Sequence, residues 1–197
     1  MPDTSSALLS APFQPRLTIR EKASSTSTRF CLALFAMVGA ATVLFEIGRS
    51  SATSEDVPAI LLLVMCAGVI SIVGFYVQSV LAGAIGRLIG GSASNTSVRR
   101  ALALGAIPMV WAAFIGAILL VLHMLTGAVV LSQIASAVFA ITFLWMLVTT
   151  VAMLMEVQGY GLVRALATLA TAGIVSGLLL TVLFRGFVLQ PFKIPAS

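Results

Sequence analysis

The chain has 197 residues, of which 60% are hydrophobic and 9% charged, and its formal net charge is +5 at pH 7. A soluble domain has roughly 45–50% apolar and roughly 25% charged residues, so this composition excludes a water-soluble globular protein. Basic groups beside apolar segments usually set membrane orientation and meet anionic lipid headgroups. The composition therefore predicts a membrane protein with the bilayer as its partner and no bound nucleic acid.

Residues 1–29 form a polar segment that is rich in Ser, Thr and Pro and holds four basic residues. No apolar stretch lies close to Met1, which argues against a cleaved signal peptide. The stretch Ser24–Thr28 is too polar to pack against a core. We therefore expect residues 1–29 to be a disordered cytoplasmic tail.

Five apolar segments follow, and each is close to the roughly 20 residues that cross a hydrocarbon core as a helix. The segment Ala101–Met155 has no Lys, Arg, Asp or Glu, so it must hold two spans joined by a turn near Thr126–Gln133. The sequence thus predicts an all-α polytopic membrane protein, a bundle of five transmembrane helices in residues 30–185 with a short external tail at 186–197. The expected spans cover about 30–47, 57–82, 101–125, 133–155 and 165–184.

Two spans carry residues with a structural role that can be read from the sequence. Pro108 removes a backbone donor and should kink or start the third helix near Leu104–Gly105. Gly173 and Gly177 form a Gly-xxx-Gly face that lets helices approach closely. Cys31 and Cys66 fall inside apolar segments, so we expect small buried side chains rather than a disulfide or a zinc site.

The connection between the fourth and fifth spans has a charge of each sign. Glu156 lies near the C-terminus of one helix and Arg164 near the N-terminus of the next, where each opposes the helix dipole. A pair between them would relieve both conflicts, and Arg99 or Arg100 is the competing partner for Glu156. We expect the Glu156–Arg164 pair, with an effect on loop geometry more than on stability.

No carboxylate lies deep in a span, no two acids are spaced as a catalytic pair, and no His/Cys/Asp ligand cluster is found in the sequence. Proton relays and ion pathways usually use such groups inside the bundle. We therefore expect no enzyme activity, no catalytic residues, no cofactor and no metal. A small-solute channel lined by backbone or by Ser and Thr remains a third possibility.

The distribution of Lys and Arg predicts the orientation. The tail has four, the second loop three and the fourth loop one, which makes eight on one side against three on the other (Arg49, Arg185 and Lys193). The side with more basic residues is cytoplasmic in most membrane proteins. We expect a multi-pass protein of the cell membrane, such as a bacterial inner membrane, with its N-terminus inside and its C-terminus outside.

Short motifs between Leu81 and Leu183 resemble the Yip (Ypt/Rab-interacting protein) family. They are Gly86-Arg87-Leu88-Ile89-Gly90-Gly91, the Arg100-Ala101 start of the third span with Pro108, Trp145, Glu156-Val157-Gln158-Gly159, and Arg164-Ala165. The resemblance implies five spans with a cytosolic N-terminus. Eukaryotic members bind small GTPases in vesicle traffic, but no motif in this chain indicates a GTPase-binding surface.

A Yip-like chain without catalytic groups is expected to act as a scaffold, a partner-binding domain or an anchor. Another membrane protein or a second copy of the chain is the candidate partner. The candidate structural or interaction residues are Arg87, Gly90, Gly91, Pro108, Trp145, Glu156, Arg164, Gly173 and Gly177.

The last residues carry a second resemblance. Gln190-Pro191-Phe192-Lys193-Ile194-Pro195-Ala196-Ser197 is similar to the membrane-exit segment of type I signal peptidases. There the nucleophilic Ser follows two residues after this motif, a place that would come after Ser197. The family's general-base lysine, which lies further downstream, is also absent from the sequence. The alternative function is therefore the membrane-anchor half of a signal-peptidase fusion that lacks its catalytic domain.

Overall fold

The computed structural model of the protein describes residues 10–22, 25–49 and 57–188. All regular structure in these residues is helical. The helices are α1 (Pro15–Lys22), α2 (Thr28–Arg49), α3 (Val57–Leu88), α4 (Asn95–Gly105), α5 (Ile107–Thr126), α6 (Val129–Gln158) and α7 (Leu162–Val188).

Four helical stretches are long and apolar enough to cross a membrane. They are Leu61–Leu88, Asn95–His123 across the α4–α5 junction, Val129–Gln158 and Leu162–Val182. The first expected span lies in α2, where the apolar stretch Thr28–Val43 is shorter than the other four. The described chain is thus an all-α, multi-pass membrane protein with four candidate spans.

The turn between α5 and α6 is shorter than the sequence predicts, because only Gly127 and Ala128 lie outside the helices. Gly127 has φ 67°, and its N–H donates to the carbonyl of His123 at 2.8 Å, which ends α5 in a left-handed cap. Ser132 does not interrupt α6, because its hydroxyl donates to the carbonyl of Val129 in the same helix.

The expectation of a disordered tail is wrong for residues 10–22. This segment packs against α6, and Ala11, Thr18 and Ile19 are buried. An isolated helix of eight residues is unstable in water, so α1 is ordered by the apolar side that it places on α6. Residues 1–9 and 23–24 lie outside the described part of the chain.

The centre of the bundle is the junction of α4 and α5. All ten residues from Ala101 to Val110 are buried. α4 packs against α2, α3 and α6, whereas α5 packs against α2 and α6. A helix that is apolar on every side fits such a central position, and this explains the uncharged run at Ala101–Val110. On the outside of the bundle, α7 packs mainly against α3.

The two cysteines have different environments, although both are free thiols. Cys31 is buried at the start of α2, as predicted, but Cys66 is exposed on α3. The prediction for Cys66 is wrong because α3 turns only part of its surface towards α2, α4 and α7, and the rest remains uncovered in the bundle. The expected fifth span lies within α7, and this helix continues past the expected end at Phe184 to Val188. Residues 189–197 lie outside the described part.

Candidate functional site

Basic residues gather at one end of the bundle, where α3 and α6 end and where α2, α4 and α7 begin. We call this region the basic end. Its eight basic and two acidic residues give a net charge of +6 (8 − 2). The basic residues are Arg16, Arg20, Lys22, Arg29, Arg87, Arg99, Arg100 and Arg164, and the acidic residues are Glu21 and Glu156.

Gly90 and Gly91 form the C-cap of α3. Gly90 has φ 96°, its N–H donates to the carbonyl of Arg87 at 3.1 Å, and the N–H of Gly91 donates to the carbonyl of Gly86 at 2.8 Å. This pair of bonds is a Schellman motif, which requires a left-handed residue that glycine adopts at little cost. Gly90 and Gly91 therefore end α3 in a defined cap.

Gln158 joins this cap to the end of α6. Its side chain is 1% exposed, and its Oε1 accepts the N–H of Ala93 at 3.3 Å. Its backbone carbonyl accepts the N–H of Ser92, also at 3.3 Å. A Cβ at Gly86 or Gly91 would overlap the amide of Gln158. Both glycines therefore make room for one buried side chain, a role that the sequence analysis did not give to Gln158.

Arg87 and Asn95 link the two helices that flank this loop. The Nη1 of Arg87 donates to Oδ1 of Asn95 at 2.8 Å. Ser94 caps α4, because its hydroxyl accepts the N–H of Ser97 at 3.2 Å. The loop between α3 and α4 is thus fixed by a helix cap at each of its ends.

The predicted pair between Glu156 and Arg164 is wrong. The carboxylate of Glu156 accepts from Nε of Arg20 at 2.5 Å, and this contact is the ion pair formed within the described residues. The carboxylate raises the pKa of the Arg20 guanidinium, first through the hydrogen bond and then through its charge. Arg164 instead extends towards the α3 cap, where a Cβ on Gly90 would be 3.5 Å from its Nη1.

Trp145 contacts the beginning of residues 10–22, the end opposite to Arg20. Its Nε1 donates to the carbonyl of Pro12 at 2.9 Å, and its ring packs edge-on against Phe13 with the centroids 5.3 Å apart. Trp145 and Glu156 are eleven residues apart, or roughly 16 Å along α6. Residues 10–22 are therefore attached to α6 at both ends, by an aromatic contact and by an ion pair.

Pro108 stands in the first turn of α5, where its missing N–H costs little. The helix is interrupted at Ala106, between α4 and α5, close to the predicted Leu104–Gly105. The interruption changes the regular pattern of backbone hydrogen bonds at this point. The hydroxyl of Thr149 lies 2.8 Å from the carbonyl oxygen of Gly105 and supplies a donor to it. Threonine side chains commonly satisfy such freed carbonyls inside a membrane.

The predicted Gly173–Gly177 packing face is not used within the described bundle. A Cβ on either glycine would meet no atom within 4 Å. The buried side of α7 instead carries small residues at spacings of three and four: Ala165, Thr168, Ala172 and Ser176. Thr168 also accepts a hydrogen bond at 2.9 Å from the hydroxyl of Tyr160, whose pKa is raised by burial. The helix α7 thus has two faces of small residues. The sequence motif indicated the outward face of Gly173 and Gly177, whereas the other face packs inside the bundle.

Within the described residues, no three His, Cys, Asp or Glu side chains are grouped as metal ligands. Searches of protein-family models, of curated proteins and of solved structures each find no match to this chain. The geometry of the basic end is therefore the basis on which a function can be proposed.

Proposed function

We propose that the chain is a five-span membrane scaffold or anchor of the Yip type, without chemistry of its own, that presents the basic end to the cytoplasm. α2 would be the first span, because its 22 residues rise roughly 33 Å, enough for a hydrocarbon core of about 30 Å. The N-terminus would then lie inside and the C-terminus outside. The partner would be another membrane protein or a second copy.

The contact that Gln158 makes with Gly86 and Gly91 carries this proposal. These residues belong to the two motifs that resemble the Yip family, and they are 67 residues apart at their closest (158 − 91). Because both motifs contact the same buried side chain, one packing requirement explains why glycine stands at Gly86 and Gly91 and glutamine at Gln158. Around them, α1 and the two loops form a surface held by caps and side-chain hydrogen bonds, which suits a platform for a partner.

The same surface supports the proposed orientation. The eight basic residues assigned to the cytoplasmic side by sequence are those of the basic end. An excess of Lys and Arg in short loops marks the cytoplasmic side. The signal-peptidase alternative depends on Gln190–Ser197, which lies outside the described residues, and no described feature favours it.

In-cell photo-crosslinking tests the scaffold role. A photoreactive amino acid at Leu88 or Val163 is expected to give discrete protein adducts, because these apolar side chains are 86% and 78% exposed at the basic end. The same probe at Leu178, which is 63% exposed near the middle of α7, serves as the matched control and should react mainly with lipid.

Adducts at Leu178 alone, or none at the basic end, would contradict a partner-binding platform. A flux of small solutes into liposomes that contain the purified chain would favour the channel instead.

A further inference from the structure

We propose that Arg99 and Arg100 bind the phosphate of an anionic phospholipid headgroup at the boundary of the hydrocarbon core. This site does not depend on the scaffold role; it requires only that the bundle spans a membrane. The inference starts from two adjacent guanidinium groups whose polar atoms are not satisfied by the described part of the protein.

The first observation is the state of the two side chains. Arg99 and Arg100 are half-buried, and the Nε atom of each is buried without a hydrogen-bond partner among the described residues. Arg99 lies over the ring of Tyr76, 4.3 Å from its centroid. The helix that carries both arginines, α4, packs against α2 as well as against α3 and α6.

The second observation is the lack of a protein anion at this place. Among the described residues the ion pair of the basic end joins Glu156 to Arg20, and Glu21 is exposed on α1. A guanidinium stays charged at any physiological pH. An unpaired guanidinium in an apolar environment is costly. The Nε atoms of Arg99 and Arg100 are enclosed, but their Nη groups are not, and a phosphate can accept two parallel hydrogen bonds from the Nη groups of one arginine.

The depth of the pair identifies the source of the phosphate. α3 and α6 have 32 and 30 residues, so each is roughly 45–48 Å long. A hydrocarbon core of about 30 Å leaves roughly 8 Å, or about five residues, beyond the core at each end. Arg99 and Arg100 are the fifth and sixth residues of α4. They therefore lie where the headgroup phosphates begin.

The other unpartnered atom at this end does not belong to the site. The Nε2 of Gln158 is buried and unpaired, but Gly86 packs directly against it and leaves no room for a ligand. The exposed arginines Arg29 and Arg164 add to the general positive field. They provide a control with the same change in charge and without buried donors.

The test is a lipid titration of the purified full-length chain in detergent, followed by native mass spectrometry. The wild type is expected to retain one phosphatidylglycerol in preference to phosphatidylcholine by about tenfold or more, as two charge-assisted contacts would give. The R99Q/R100Q variant should lose this preference. The R29Q/R164Q variant, which removes the same charge, should change it less than about threefold.

Two further arms separate the alternatives. A large excess of inorganic phosphate should not displace the lipid; if it does, the ligand is free phosphate and the lipid assignment is wrong. R99K/R100K keeps the charge and the fold but lacks the guanidinium fork, so it should bind several-fold more weakly. Equal losses in R99Q/R100Q and R29Q/R164Q, or full binding by R99K/R100K, would show a diffuse attraction and overturn the proposal.

Discussion

Gly105→Val is expected to destabilise the bundle by about 2–6 kcal/mol. A Cβ at Gly105 would lie 2.7 Å from Cα of Thr150 and would overlap its hydroxyl, so a valine would push α4 away from the backbone of α6. Overpacking of this kind costs roughly 1–3 kcal/mol. The shift would also remove the Thr149 donor from the Gly105 carbonyl, and an unsatisfied buried group costs roughly 1–3 kcal/mol more.

The measurement is the free energy of unfolding in mixed micelles or bicelles. Gly177→Val is the matched control, since a Cβ there meets no atom within 4 Å and the residue change is identical. Its effect should stay within about 0.5 kcal/mol, the range usual for exposed positions. Equal losses of stability in the two variants would show that α4 and α6 do not approach each other at Gly105.

Gly86→Ala is expected to destabilise the basic end by about 1–3 kcal/mol, and Gln158→Ala in the same chain should restore part of that loss. The added methyl group overlaps the amide of Gln158, which is too buried to move aside. Removing the amide leaves space that the methyl group can occupy. The double variant should therefore be more stable than the sum of the single changes predicts, by about 1 kcal/mol or more.

Hydrogen exchange of the amides of Ser92 and Ala93 gives a local measure of the same cycle. Both N–H groups donate to Gln158, one to its backbone and one to its side chain. Both amides should exchange faster in Gly86→Ala. In the double variant only the Ser92 amide should return towards the wild-type rate, because Gln158→Ala removes the side-chain acceptor of the Ala93 N–H. Strictly additive stabilities, with no recovery of protection at Ser92, would mean that the two motifs do not meet at Gln158.

Hydropathy was sufficient to predict the helical architecture, because a membrane-spanning segment must form all its backbone hydrogen bonds within itself. The break near Gly105 was also predictable, since Pro108 lacks the donor that would continue the helix. The ends of the helices were predicted less accurately. α6 begins at Val129 because its polar Ser132 bonds to its own helix, which a reading of side-chain polarity does not anticipate.

Long-range contacts account for what the sequence did not predict. The partner of Glu156 is Arg20, 136 residues away, and the apolar side of α1 is visible only once α6 is in place. The sequence placed Gln158 in the connection after the fourth predicted span. Its buried role was not predictable, because it depends on two glycines that are distant in the sequence. The Gly173–Gly177 motif was a sound local signal, but α7 packs through the face of Ala172 instead.

The orientation of the bundle is tested most directly by labelling single cysteines in intact cells. Ser92→Cys and Val129→Cys would each be introduced into a chain with Cys31→Ala and Cys66→Ala, since both positions are exposed and lie at opposite ends of the bundle. A membrane-impermeant thiol reagent should label Val129→Cys in intact cells and Ser92→Cys only after permeabilisation. Labelling of Ser92→Cys in intact cells would contradict a bundle whose basic end faces the cytoplasm.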